Sequence, residues 1–268
     1  MGIIKMENIN YKLSEDFISN YKGKQPKWGY DGLGYVIYKR TYSRKLPNGK
    51  SEEYWQTLQR VVEGVFTIQK RHCLTSKLPW NNRKANASAQ RMYELMWDFK
   101  FTPPGRGLWM MGTDKMWELG STVLTNCAFV STENINVDVS EPFCFMMDMS
   151  MLGVGVGGDV RGAGTITIKE PKISNDVFVV ADTREGWVEL LYTLLNAFVG
   201  KNELPISVDY SQVRAKGSII KGFGGIASGP EPLKEMYDDI NTLLLKNVSK
   251  KITSDVIVDL FNLVGRCV

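Results

Sequence analysis

The chain has 268 residues, with 43% hydrophobic and 11% aromatic side chains, enough for one large domain or two ordinary ones with a sizeable core. Its 33 basic and 29 acidic residues leave a net charge of +4, and the short basic runs are scattered, which argues against a nucleic-acid-binding stripe. No apolar run approaches the ~20 residues of a membrane helix, and the first residues lack the apolar core of a secretion signal, so the expectation is a cytoplasmic protein with free thiols.

Residues 1 to about 100 read as a mostly helical region. Ser14-Glu15-Asp16 opens like a capped helix, and a Gly/Pro-rich stretch runs from Lys22 to Gly34. A second helix starts near Ser51, with Trp55, Leu58 and Val62 at helical spacing. A third covers Ala85 to Phe99, with Met92, Leu95, Met96 and Phe99 on one face, ended by Pro103-Pro104.

From about 101 the pattern changes to short strands alternating with amphipathic helices, which predicts a largely parallel α/β arrangement over 101–268. Strands are expected at Val123–Val130, Thr165–Ile168, Val177–Val180, Ile206–Val208 and Ser218–Ile220. Helices are expected at Phe143–Met151, Glu185–Val199, Pro232–Leu245 and Thr253–Leu263, the last with a cap in Thr253-Ser254-Asp255. An α/β unit that stops on a helix reads as unfinished.

Four cysteines occur, Cys73, Cys127, Cys144 and Cys267, none in a Cys-x-x-Cys pair, and His72 is the one histidine. A zinc site is therefore not expected. Cys73 reads as a basic-loop residue, Cys144 and Cys267 as core, and Cys127 either as a small buried hydrophobe or as a reactive thiol. Gly153-x-Gly155-x-x-Gly158 matches the dinucleotide fingerprint as a string, but a helix precedes it where that motif needs a strand. It reads either as backbone left bare for a ligand or as close packing. The loop from Lys221 to Pro232 reads as a phosphate cradle or a plain connection.

Several segments taken in order carry more than any one motif. They are Trp28-Gly29 with Leu33 to Arg44, Val61-Val62-Glu63-Gly64, Phe101 to Trp109, Thr125 to Val130, Leu152 to Gly158, Asp182 to Trp187 and Gly222 to Pro230. From about residue 14 onward the chain resembles the front part of the adenosylcobalamin-dependent (class II) ribonucleoside-triphosphate reductases. The resemblance implies a ten-stranded α/β barrel of which this chain holds the first half. It implies radical reduction of the ribose 2′-hydroxyl of ribonucleoside triphosphates, with adenosylcobalamin as cofactor.

By that resemblance Cys127 is the first cysteine of the pair that supplies two electrons by forming a disulfide. Thr102 and Asn126 fall near the substrate phosphates, and Gly155 lines the ribose site. Glu133 and Arg161 fall in the loop that takes deoxynucleoside triphosphate effectors, and a thioredoxin-like protein is the implied reductant. The radical cysteine's Asn-x-Cys-x-Glu pattern and a partner for Cys127 do not occur before Val268. The stretch from Val160 to Asp182 is shorter than in the monomeric members. The expectation is an N-terminal part, split or spliced from a C-terminal fragment and inactive alone. The alternatives are a non-catalytic nucleotide-binding regulatory module or a gene remnant.

Overall fold

The computed structural model describes residues 9–218, 220 and 225–268. Two compact units meet in sequence between Leu124 and Thr125.

The first unit is built on helices α1 (Glu15–Ser19), α2 (Leu33–Thr41), α3 (Tyr54–Thr75), α4 (Asn82–Trp97), α5 (Gly105–Met110) and α6 (Asp114–Leu119). Ser14 caps α1 by accepting from the Phe17 amide, as its sequence predicts. The 22-residue α3 starts on a reciprocal cap, in which the Glu53 and Gln56 side chains each take the other's backbone N–H. Tyr54, Leu58, Val61, Val62 and Phe66 of α3 close against Ala85, Ala89, Tyr93 and Met96 of α4.

The buried face of α4 differs from the expected one. Met92 and Leu95 are half-exposed and line an outer cleft of about 510 Å³ with Phe101. Phe99 lies past the helix end with a left-handed φ of 53° and stacks its ring on Tyr54. The helix thus ends at Trp97, before the two prolines, and Pro104 caps α5 instead. Cys73 sits within α3, not in a loop. Residues 101–124, grouped by sequence with the α/β region, form α5, α6 and a 3₁₀ turn at Gly120–Leu124. Glu52 and Arg60 are enclosed in this unit, paired through Nε at 2.8 Å and Nη2 at 2.9 Å. Thr57 Oγ1 donates to the same carboxylate at 2.7 Å, and Arg60 also donates to the Leu108 carbonyl.

The second unit repeats one motif twice. Strand β1 (Cys127–Val130), helix α7 (Glu141–Met151) and strand β2 (Gly155–Gly158) form a parallel pair with its crossover. Strand β3 (Val177–Val179), helix α8 (Arg184–Ala197) and strand β4 (Ser207–Asp209) form another. Helices α9 (Glu231–Leu245) and α10 (Ser254–Cys267) follow. Phe143, Met147, Leu190, Leu194, Leu233, Ile240, Ile257 and Leu260 form the shared core. Parallel strands need a crossover of a dozen or more residues, and α7 and α8 supply it.

Among the described residues the strands make two two-stranded parallel sheets. The expected α/β character is present, while a ten-stranded barrel is more than these four strands display. Thr165–Ile168 makes one bridge, Thr167 to Lys251, rather than a strand, with Ile168 buried in the core. Val123 and Leu124 belong to the 3₁₀ turn, so the expected first strand begins only at Cys127. The expected strand at Ser218–Ile220 and the glycines Gly222 and Gly224 fall partly outside the described residues. Thr253 holds the cap position of α10, but its side chain takes no helix N–H and bonds the Asp255 carboxylate instead.

The segment Asp182 to Trp187 is explained by packing. Asp182 accepts from Arg214 Nε at 2.9 and 3.0 Å, and Thr183 caps α8 through the Gly186 amide. Arg184 pairs with Asp148 of α7. A Cβ on Gly186 would sit 2.7 Å from the Ala181 carbonyl oxygen.

Candidate functional site

Strand β1 alternates exposed and half-buried residues, so Cys127 and Phe129 share the outward face. Phe129 is 64% exposed. The Cα partners of these two residues on β2 are Gly155 and Gly157. The Gly155 amide donates to the Asn126 carbonyl at 2.9 Å. Cys127, Asn126 and Gly155 are therefore contiguous, and all three are exposed.

The glycines of β2 divide into two kinds. A Cβ on Gly155 would meet nothing closer than the Asn126 carbonyl oxygen at 3.7 Å, and one on Gly157 only the Phe129 ring at 3.7 Å. Those are ordinary contacts, so the protein's own packing does not forbid a side chain at either place. A Cβ on Gly158 would lie 2.5 Å from the Phe261 ring, so packing does forbid one there. The close-packing reading applies to Gly158, while Gly155 and Gly157 have room for a side chain. The dinucleotide fingerprint is excluded in structure too, because these glycines form a strand after a helix.

Cys127 was open to a buried or a reactive reading, and the strand settles it as exposed. Burial pushes the Cys144 thiol up to about 12, aided by the nearby charges of Asp138 and Asp148. Burial does the same to Cys267, also to about 12, against a small opposing effect of Arg266. Both stay protonated at neutral pH and are poor nucleophiles or electron donors. Within the second unit Cys127 is the accessible thiol.

The carboxyl ends of β1 and β2, where open α/β sheets bind ligands, carry Glu133 and Arg161. Arg161 Nη1 lies 3.8 Å from Glu133 and its Nε 3.6 Å from Asp159, and Arg161 and Glu133 are 69% and 65% exposed. Asp159, which the sequence reading did not single out, ties the two strand ends together. Its carboxylate accepts from Ser131 Oγ at 2.8 Å, the Thr132 amide at 2.8 Å, Thr132 Oγ1 at 2.9 Å and the Arg161 amide at 3.2 Å. Desolvation raises its pKa, but these donors outweigh it and hold the carboxyl at about 2. The only sequence signal was an acidic residue directly after a glycine run, with Ser-Thr 28 and 27 positions earlier.

Thr102 lies exposed between α4 and α5 in the first unit, while the other expected site residues are in the second. Among the described residues no group of three or more His, Cys, Asp or Glu is placed to hold a metal ion. No helix among them is long and apolar enough to cross a membrane.

Two family models match the chain: the ribonucleotide reductase alpha domain over residues 13–113 and the insertion domain of B12-dependent ribonucleotide reductase over 159–244. A probable adenosylcobalamin-dependent ribonucleoside-triphosphate reductase of Dictyostelium discoideum is 44% identical over 96% of this chain and 36% of its own length. The adenosylcobalamin-dependent ribonucleoside-triphosphate reductase of Euglena gracilis is 41% identical over 97% of this chain and 36% of its own length. A crystal structure of a B12-dependent (class II) ribonucleotide reductase superposes with a TM-score of 0.76 at 30% identity, covering 96% of this chain and 43% of that one. The chain thus spans well under half the length of the relatives it matches.

Proposed function

Because this chain is a relative of the adenosylcobalamin-dependent ribonucleoside-triphosphate reductases, aligned to their N-terminal part, we propose that it forms the front portion of such an enzyme. The reaction is reduction of ribonucleoside triphosphates to deoxyribonucleotides for DNA synthesis. Cys127 carries this reading: an exposed thiol on a strand face, beside bare glycine backbone. Two thiols release two electrons and two protons as they join in a disulfide, and water leaves with the 2′ oxygen. Cys127 is one of the two, and its partner and the radical-bearing cysteine belong to the rest of the reductase. A thioredoxin-like reductant restores the pair in the cytoplasm.

The ribose sits over Gly155, where a Cβ would meet nothing nearer than 3.7 Å. Asn126, beside Gly155, holds the phosphates. Glu133 and Arg161 receive the deoxynucleoside triphosphate effector, the exposed guanidinium meeting its phosphates. Adenosylcobalamin supplies the radical when bound. The β1–β2 face offers one thiol, one ring and glycine backbone, too few groups to cradle a corrin ring. Its contacts are assigned to the rest of the enzyme, and no step here runs through it.

The test is co-expression with the C-terminal portion of the reductase, followed by a ribonucleotide reduction assay with added adenosylcobalamin. Activity that vanishes in Cys127→Ser supports the reading, and full activity in that variant overturns it. A second reading, a nucleotide-binding regulatory module, is favoured by one observation: the Glu133–Arg161 pair is assembled within the second unit alone. Deoxynucleoside triphosphate binding by the chain, with no reduction in any combination, would select it.

A further inference from the structure

The hydrogen bonds around Asp159 form two relays that mirror each other. Ser131 Oγ donates to Asp159 and accepts the Glu133 amide at 3.2 Å. Thr132 Oγ1 donates to Asp159 and accepts the Gly162 amide at 3.0 Å. One relay therefore ends on the segment after β1 and the other on the segment after β2. A hydroxyl that donates to a carboxylate becomes a better acceptor, so each relay strengthens as a unit. The fit is tight, since Thr132 is fully buried and a Cβ on Gly162 would come within 2.4 Å of the Thr132 carbonyl oxygen.

Glu133 and Arg161 gain their proximity from this frame and not from each other. Their own contact is long, at 3.8 Å, and both side chains are exposed, so it contributes little. We infer that Asp159 is a positioning residue for effector recognition: without touching the nucleotide, it holds the two strand-end segments so that Glu133 and Arg161 face one ligand. This rests on the effector reading of those two residues given above. A neutral side chain at 159 is a weaker acceptor, and an amide there presents a donor to one of the hydroxyls. The relays would then slacken and the pair would lose its register while the strands stay formed.

The experiment is equilibrium binding of each of the four common 2′-deoxynucleoside triphosphates to the full chain. The proteins are wild type, Asp159→Asn, Thr132→Ser and Thr132→Val. Amide hydrogen exchange is followed at Glu133 and Gly162. Asp159→Asn is expected to weaken binding about tenfold or more and to speed exchange at both amides. Thr132→Ser keeps the relay hydroxyl and should bind within about twofold of wild type, whereas Thr132→Val should lose as much as Asp159→Asn. A role for the Thr132 methyl alone predicts the reverse order, because valine keeps that methyl and serine loses it. If Asp159→Asn fails to fold, the two Thr132 variants decide the matter alone. Wild-type affinity in Asp159→Asn or in Thr132→Val overturns the role of Asp159 and leaves the effector reading standing. A wild-type chain that binds none of the four overturns the effector reading and this inference together.

Discussion

Two carboxylates organise the two units, and their surroundings differ in one respect. Glu52 in the first unit is 6% exposed at its side chain, and its partner Arg60 is 14% exposed, with the Met111 and Leu108 carbonyls taking two further guanidinium donors. Asp159 in the second unit is as fully bonded, but the arginine beside it stands 69% in solvent. Both networks are built from a carboxylate, an arginine and hydroxyls. Where every charge is enclosed and answered, the network holds a core together. Where one charge is left outward at the end of two parallel strands, the network fixes the backbone and leaves the guanidinium facing solvent. The same contrast separates the apolar surfaces, since the α3–α4 interface is closed, whereas Phe129, Val177 and Val179 are strand residues left uncovered.

The largest expected effect tests whether the open face is chemical. Cys127→Ser should abolish ribonucleotide reduction in the assembled enzyme while shifting stability by no more than about 0.5 kcal/mol, as for any exposed conservative change. A urea melt run beside the turnover assay separates the two.

Next is the closed network. Glu52→Ala strands Arg60 as an uncompensated buried charge and should cost about 3–5 kcal/mol. Six of the seven tryptophans precede Leu124, and Trp187 is alone in the second unit. Tryptophan fluorescence should therefore show early unfolding of the first unit. Burial raises the Glu52 pKa, but Arg60, Thr57 and the Arg44 amide together bring it below the ordinary carboxylate value. Its stabilisation is thus present above about pH 4 and lost as pH falls further. The gap between wild type and Glu52→Gln should narrow over that range in acid titrations.

Smaller effects distinguish the glycines. Gly158→Ala drives a methyl into Phe261 and should destabilise by about 1–3 kcal/mol, seen by chemical denaturation. Gly157→Ala should leave the midpoint nearly unchanged, and equal losses in both would erase the distinction between packing glycines and bare ones. Smallest is Tyr11→Phe, which deletes a hydroxyl that is buried without a hydrogen-bond partner. Its expected outcome is neutral to about 1 kcal/mol more stable, with a melting temperature equal to or above wild type.

Much of the helical framework was legible, because α4, α7, α8 and α9 carry long periodic patterns, with side-chain caps from Asn81 and Thr183 on α4 and α8. Helix α2 went unread because it starts at the end of a glycine-rich stretch, just after Tyr30 and Asp31 turn the chain through left-handed backbone. Strand β2 was unreadable as a strand, since Gly155-Val156-Gly157-Gly158 offers no alternating side chains. In α4 the apolar residues outnumber one face, so Met92 and Leu95 were as plausible inside as Ala85 and Ala89. The prominence of Cys127 came through resemblance to a family, while its exposure needed the strand's orientation. Asp159 was out of reach of any local pattern, because its partners lie 27 and 28 residues away and meet it only once β1 and β2 pair.

The order of the two units along the chain has a consequence for synthesis. A ribosome releases the helical unit before the strand pairs, and every residue of that unit's core precedes Thr125. The strand pairs come later, and β1 must wait for α7 before β2 arrives to complete its ladder. The nascent chain therefore carries the whole helical unit while its adhesive strands are still emerging. A chaperone acting on this protein would be needed after residue 125, not before it.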